Sequence, residues 1–284
     1  MLSSEYPLNE QAKALADQPD QQETALASST TNIFGVEMVQ IDPAYGLTQM
    51  ASIGTPWVRV NGVKWSDIEP NADEMHWENM ASIEASLANA QANGMEVVLV
   101  VRSTPAWAQK NPGYTCGPMA ENNIKDFAEF MGALVARYKD RVSYWEIWNE
   151  PDVALGTIGS NEAYGCWGVT GDPYYGGEYY GRVLKQVYPA IKASDSAAQV
   201  IIGGLLMDCG PSGTCPAPSD INSLKFIEGI FTEVGDQYYD GIAFHAYDYY
   251  QGGLANYGNT NWGASRATTG PVGLLKFNYL SQIM

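Results

Sequence analysis

Nine consecutive residues, Tyr144, Trp145, Glu146, Ile147, Trp148, Asn149, Glu150, Pro151 and Asp152, end an aromatic and β-branched run with a side-chain amide and a carboxylate. A carboxyl at the lip of such a run can protonate a departing oxygen and later take a proton from water. A neighbouring amide can donate to a hydroxyl beside the reacting centre. Glu150 suits the first task and Asn149 the second. A plain helix N-terminal carboxylate is the competing account of Glu150. Glu146 lies four residues deeper, roughly 13 Å along a strand that rises about 3.3 Å per residue. A buried pairing with Arg59 or Arg102 is therefore expected of it rather than chemistry.

A frame of strands must hold these groups. Short β-branched or aromatic runs occur at 33–39, 57–60, 97–101, 142–148, 200–202 and 242–244, which gives six expected strands. Helical periodicity lies between them, clearest at Ile124, Phe127, Met131, Leu134, Val135 and Tyr138, where steps of three and four gather apolar side chains on one face. Further stripes run through Met80, Ile83, Leu87 and Ala90, through Val183, Leu184, Val187 and Ile191, and through Phe226, Ile227, Ile230 and Val234. Strands apolar almost throughout, alternating with helices, mean an α/β protein with a parallel sheet covered by helices.

A doubly wound sheet and a (β/α)8 TIM barrel both show this alternation. No glycine-rich phosphate loop follows the first strand, whereas Trp, Asn, Glu, His and Tyr cluster at strand ends, where barrels keep their chemistry. The barrel is expected. The sixth strand begins near Gly241, and Leu274 to Met284 reads as the sixth helix, so about six of eight βα units are present. Residues 31–284 are thus expected to form a partial catalytic domain lacking strands seven and eight, a fragment inactive when isolated. Residues 1–30, rich in Gln, Ala, Ser and Asp without a sustained apolar period, are expected to be a disordered tail or linker.

Composition narrows the partners. Fifteen Lys and Arg against 32 Asp and Glu leave a formal charge of −17, which argues against nucleic acid and anionic membrane surfaces. No apolar run is long enough for membrane insertion, and the first twenty residues show no export signal. Eight Trp and 18 Tyr against 7 Phe favour polar-tipped aromatics, which suit stacking on sugars but also fill large cores. The four cysteines contain no CxxC pair, so a metal site is not expected. Cys209 and Cys215 flank a short Gly/Pro-rich loop, and Cys116 can reach Cys166 if their loops are neighbours. Disulfides point to a secreted or extracytoplasmic location.

The stretch WEIWNEPD resembles glycoside hydrolase clan A, whose retaining (β/α)8 enzymes carry Asn-Glu-Pro at the fourth strand end. Other segments are similar in order. MASIGTPWVRVNGVKWSDIEP resembles the clan's second-strand segment, TPAWA its third strand end, and FHAY its sixth. The resemblance covers about Phe34 to Tyr247. It implies that Glu150 is the catalytic acid/base, that Arg59 steadies a nucleophile, and that His245 or Tyr247 lines the subsite next to the scissile bond. Trp65, Trp107 and Trp148 are expected to be sugar platforms, each with barrel packing as the alternative.

The resemblance implies retaining hydrolysis of β-linked oligo- or polysaccharides, with a carbohydrate substrate and no cofactor. Retaining enzymes set their two carboxyls about 5 Å apart. The nucleophile Glu of a seventh strand end has no match in this sequence, so it is expected outside the chain. A non-catalytic carbohydrate-binding relative and a transglycosidase are the other two readings. No residue pattern fixes an oligomeric state.

Overall fold

A computed structural model describes residues 32–157, 163–207, 222–245 and 273–284, all within the unit Ile33–Met284 apart from Asn32. The expected tail at 1–30 and the pair Cys209 and Cys215 lie outside the described residues. All six expected strands form: β1 Gly35–Glu37, β2 Trp57–Lys64, β3 Glu96–Arg102, β4 Tyr144–Asn149, β5 Gln199–Leu205 and β6 Gly241–Phe244. The main helices follow them as α1 Leu47–Ser52, α2 Ala81–Ala92, α3 Ile124–Tyr138, α4 Gly177–Ser194, α5 Asn222–Val234 and α6 Gly273–Ile283.

The six strands are parallel and lie side by side in chain order, β1 to β6. That order discriminates between the two α/β architectures. Right-handed crossovers that always step in one direction put every helix on the same face, whereas a doubly wound sheet must reverse its order to cover both. The result is a curled half-barrel of six βα units, consistent with an incomplete (β/α)8 barrel. Among the described residues, β1 and β6 each have one ladder partner.

The core lies between sheet and helices. On α3 the expected stripe of Ile124, Phe127, Met131, Leu134, Val135 and Tyr138 is buried, and it meets Val97, Leu99 and Val101 of β3 together with Trp145 and Ile147 of β4 in one apolar cluster. The opposite, inner face of the sheet is different. It carries Arg59 on β2 and Glu146 on β4, so the strands are not apolar on both sides, and these charges must find each other. A Cys116–Cys166 disulfide, with Cα atoms 5.3 Å apart, ties the β3–α3 loop to the β4–α4 loop.

Candidate active site

Side chains alternate between the two faces along a strand. With Glu146 facing inward, alternation would send Trp148 inward and Asn149 toward the helices. The structure does the reverse. Trp148 adopts a left-handed backbone, φ 73°, and its fully buried indole packs against Phe127 of α3 and Trp167 while Nε1 donates to the carbonyl of Cys116 at 3.1 Å. Asn149 swings inward, where its Oδ1 accepts from Arg59 Nη2 at 2.7 Å. One left-handed residue thus shifts the phase of the strand, at a cost on the order of 1–3 kcal/mol that must be met by packing. Glu150, itself at φ 49°, follows into the mouth.

The neighbouring strand is built for this turn. A Cβ on Gly203 of β5 would run into the carbonyl oxygens of Ile147 and Trp148 and lie 2.8 Å from the Trp148 carbonyl carbon. One on Gly204 would lie 2.5 Å from His245 Nε2 and 3.1 Å from Glu146 Oε1. The glycine pair therefore makes room first for the reversed backbone of β4 and then for the side chains of the inner face.

Arg59 organises that face. Its Nε and Nη2 bind the two oxygens of fully buried Glu146 at 2.9 and 2.7 Å, and its Nη1 lies 2.9 Å from Glu37 at the end of β1. Burial works against the guanidinium charge, but the hydrogen bond and charge of Glu146, then Glu37, outweigh it and raise the Arg59 pKa. Glu146 also accepts the backbone N–H of Gly204 at 2.7 Å.

Glu150 is 5% exposed. Its Oε1 lies 2.5 Å from Nδ1 of His245, at the end of β6, and its backbone N–H donates to the carbonyl of Gly204 at 3.0 Å. The first contact lets His245 orient the Glu150 carboxyl, with donor and acceptor set by the imidazole tautomer. The Asn149 amide donates to the carbonyl of Ala163 at 2.8 Å, and Asn61, held by Arg102 Nε at 2.6 Å, donates to the same carbonyl at 3.2 Å. Asp152, two residues beyond Glu150, is buried and accepts the backbone N–H groups of Leu206 and Met207 at 2.9 and 2.8 Å. Burial pushes its pKa up to about 6 against the pull of those two N–H groups, and the Glu150 charge adds to the rise. Among the described residues, no three His, Cys, Asp or Glu side chains gather as metal ligands would.

Four of the expected site residues therefore come together: Arg59 with Asn149, and Glu150 with His245, joined through Gly204 and Glu146. Two expected sugar platforms do not. Trp148 is turned under the helices by its left-handed backbone. Trp65 opens a helical turn at Trp65–Ile68 rather than a loop, and it is fully buried against Trp107, Phe127 and Phe130 with Nε1 donating to Glu69 at 2.6 Å. Trp107 is partly exposed at the edge of that cluster, its Nε1 bonded to the carbonyl of Glu69 at 3.0 Å. Tyr247 lies outside the described residues.

Sequence reasoning missed Glu37, Asp152, the Ala163 carbonyl and the Gly203–Gly204 pair. Glu37 ends the first strand, and a search of every strand end for carboxylates would have found it. Asp152 stood inside the nine-residue stretch, but its burial depends on β5 and has no signal in the sequence.

A family model described as Cellulase (glycosyl hydrolase family 5) matches residues 18–266. Among solved structures, a family 39 glycoside hydrolase from the gut symbiont Bacteroides cellulosilyticus WH2 is 21% identical, with 70% of this chain and 34% of that chain covered and a TM-score of 0.49. Fpglu1 from Fervidobacterium pennivoraus is 15% identical over 70% of this chain and 49% of that chain, TM-score 0.47. A beta-glucosidase from Thermotoga maritima in complex with cyclophellitol is 16% identical over 55% of this chain and 36% of that chain, TM-score 0.43. The matches span between a third and a half of the length of these structures.

Proposed function

We propose, given that this chain belongs to glycosyl hydrolase family 5, that it forms part of a retaining glycosidase acting on β-linked oligo- or polysaccharides. Glu150 is the general acid/base: it protonates the departing sugar oxygen, then takes a proton from the water that attacks the glycosyl-enzyme intermediate. The nucleophile is a glutamate outside the 284 residues. One observation carries the reading. The Glu150 carboxyl sits in the mouth of a curled parallel sheet, 2.5 Å from His245 Nδ1 and directly after an asparagine fixed by Arg59.

Arg59 holds Asn149 and the inner-face carboxylates in register, and His245 sets the orientation of Glu150. Tyr247 and Trp107 line the sugar site in this proposal. The Cys116–Cys166 bond supports a secreted or extracytoplasmic location. No helix among the described residues is long and apolar enough to cross a membrane.

The test is a leaving-group series in the longer protein that includes the nucleophile. Glu150→Gln slows hydrolysis of aryl β-glycosides with poor leaving groups by about 10²–10⁴-fold and those with good leaving groups far less at the bond-breaking step. An equal loss across the series removes Glu150 from the acid role. Binding without any turnover in the wild-type protein would favour a sugar-binding relative.

A further inference from the structure

A cavity of about 490 Å³ lies between the β3–α3 loop, the β4–α4 loop and the first turns of α4. None of Arg59, Asn149, Glu150 and His245 lines it. Its wall meets the chain just past Glu150, because the backbone N–H groups of Trp167 and Gly168 donate to the carbonyls of Pro151 at 3.0 Å and Val153 at 2.9 Å.

Two cations converge on this cavity in a chain of net charge −17. Lys110 Nζ lies 3.8 Å from the centroid of the Tyr179 ring, and Arg182 Cζ lies 4.9 Å from the same centroid. The phenol of Tyr179 donates to the carbonyl of Met119 at 2.8 Å, which fixes the ring on which both cations rest. Among the described residues, Arg182 has one loose ionic partner, Glu121 at 3.6 Å, and Lys110 has no ion-pair partner. Asp172, also in the wall, has one carboxylate oxygen occupied by the backbone N–H groups of Tyr174 and Gly176 at 2.9 and 3.1 Å. Burial, then the like charge of Arg182, push the Lys110 pKa down despite Glu121 and Asp172. An anion taken into the cavity that both cations line would offset that repulsion.

We propose that this cavity binds a carboxylate-bearing sugar unit of the glycan whose scissile bond lies at Glu150. The inference rests on the glycosidase reading above and extends it to a substrate class. A guanidinium presents paired N–H donors that match a carboxylate, and an ammonium adds a point charge. Asn111 and Glu178 in the same wall offer partners for sugar hydroxyls. The volume falls within the range of about 300–1,000 Å³ common to small-ligand sites.

The experiment is a titration of the full chain with methyl β-D-glucuronide and with methyl β-D-glucoside at low salt, followed by NMR. The glucuronide is expected to bind at least about tenfold tighter than the glucoside, the size of effect a single charge-assisted contact supplies. Lys110→Gln and Arg182→Gln are each expected to remove that preference, and Arg182→Lys to retain part of it. Equal affinity for the two sugars, no glucuronide binding, or a preference untouched by both glutamine variants overturns the proposal. The titration does not read turnover, so such a failure leaves the role of Glu150 standing, and a failed leaving-group test leaves the cavity standing.

Discussion

Gly203→Ala asks whether the reversed backbone at Trp148 depends on the missing side chain across the ladder. The added Cβ would lie 2.8 Å from the Trp148 carbonyl carbon and collide with the carbonyl oxygens of Ile147 and Trp148. All of these are backbone atoms of a central strand, so no flexible side chain can move away. Overpacking of this kind costs about 1–3 kcal/mol, and the rigid neighbours place it at the upper end, about 3 kcal/mol. At about 2–4 °C per kcal/mol for a domain of this size, Tm should fall by about 6–12 °C. The strand must shift at Trp148, so the near-ultraviolet circular dichroism of the Trp148–Trp167 pair, with ring centroids 4.9 Å apart, should change as well. Gly241→Ala is the control. It lies on the next strand, and its Cβ would meet only Ile201 Cγ1, at 3.9 Å, so its effect should stay within about 0.5 kcal/mol. If the two variants melt together and Gly203→Ala keeps the wild-type aromatic spectrum, β5 does not hold the turn that aims Glu150.

Replacing Cys116 and Cys166 together by serine opens a loop with a sequence separation of 50, for which chain entropy gives a loss of about 4 kcal/mol. Reductant should lower the wild-type Tm toward that of the double variant without moving the latter, and a wild-type protein indifferent to reductant would contradict this. Arg59→Ala strands fully buried Glu146 without its cation and should cost about 3–5 kcal/mol. Adding Glu146→Gln should recover part of the loss in a double-mutant cycle, and strict additivity would show that the pair is not coupled. The folded Asp152 pKa of about 6 lies above its ordinary value of 3.8. The native state therefore binds the extra proton, and the stability this confers is full below pH 3.8 and lost as pH rises through about 6, a change of about 3 kcal/mol. Denaturant titrations across that window should show the stability difference between wild type and Asp152→Asn moving toward the variant by this amount as pH rises, and a pH-independent difference would refute the assignment.

The strands and helices were legible because their signal is local. The α3 stripe at Ile124, Phe127, Met131, Leu134, Val135 and Tyr138 repeats at the helical period, and a segment that can bury one face can do so wherever the chain places it. The location of the chemistry was legible for a related reason. Asn149 and Glu150 end a buried run, and the ends of parallel strands converge on one side of the sheet. The pairing of Glu146 with an arginine was legible only as a choice between two, and the fold selects Arg59, while Arg102 bonds to Asn61 and Ser103.

Residue order alone was enough for the α/β alternation, the six strands and the aromatic strand end that carries Glu150. The facing of each side chain came instead from contacts between elements. Period-two alternation read from residue 146 sends Trp148 into the mouth and Asn149 under the helices, and only the contact between β4 and Gly203 of β5 makes room for the left-handed residue that reverses them. Glu37 meets Arg59 because β1 and β2 pair in register, and Cys116 meets Cys166 because two loops far apart in the chain leave neighbouring strands. Each of these facts depends on atoms brought together across tens of residues. A side chain's facing and its partner are properties of the packed neighbourhood, and the periodicity of a single segment does not contain them.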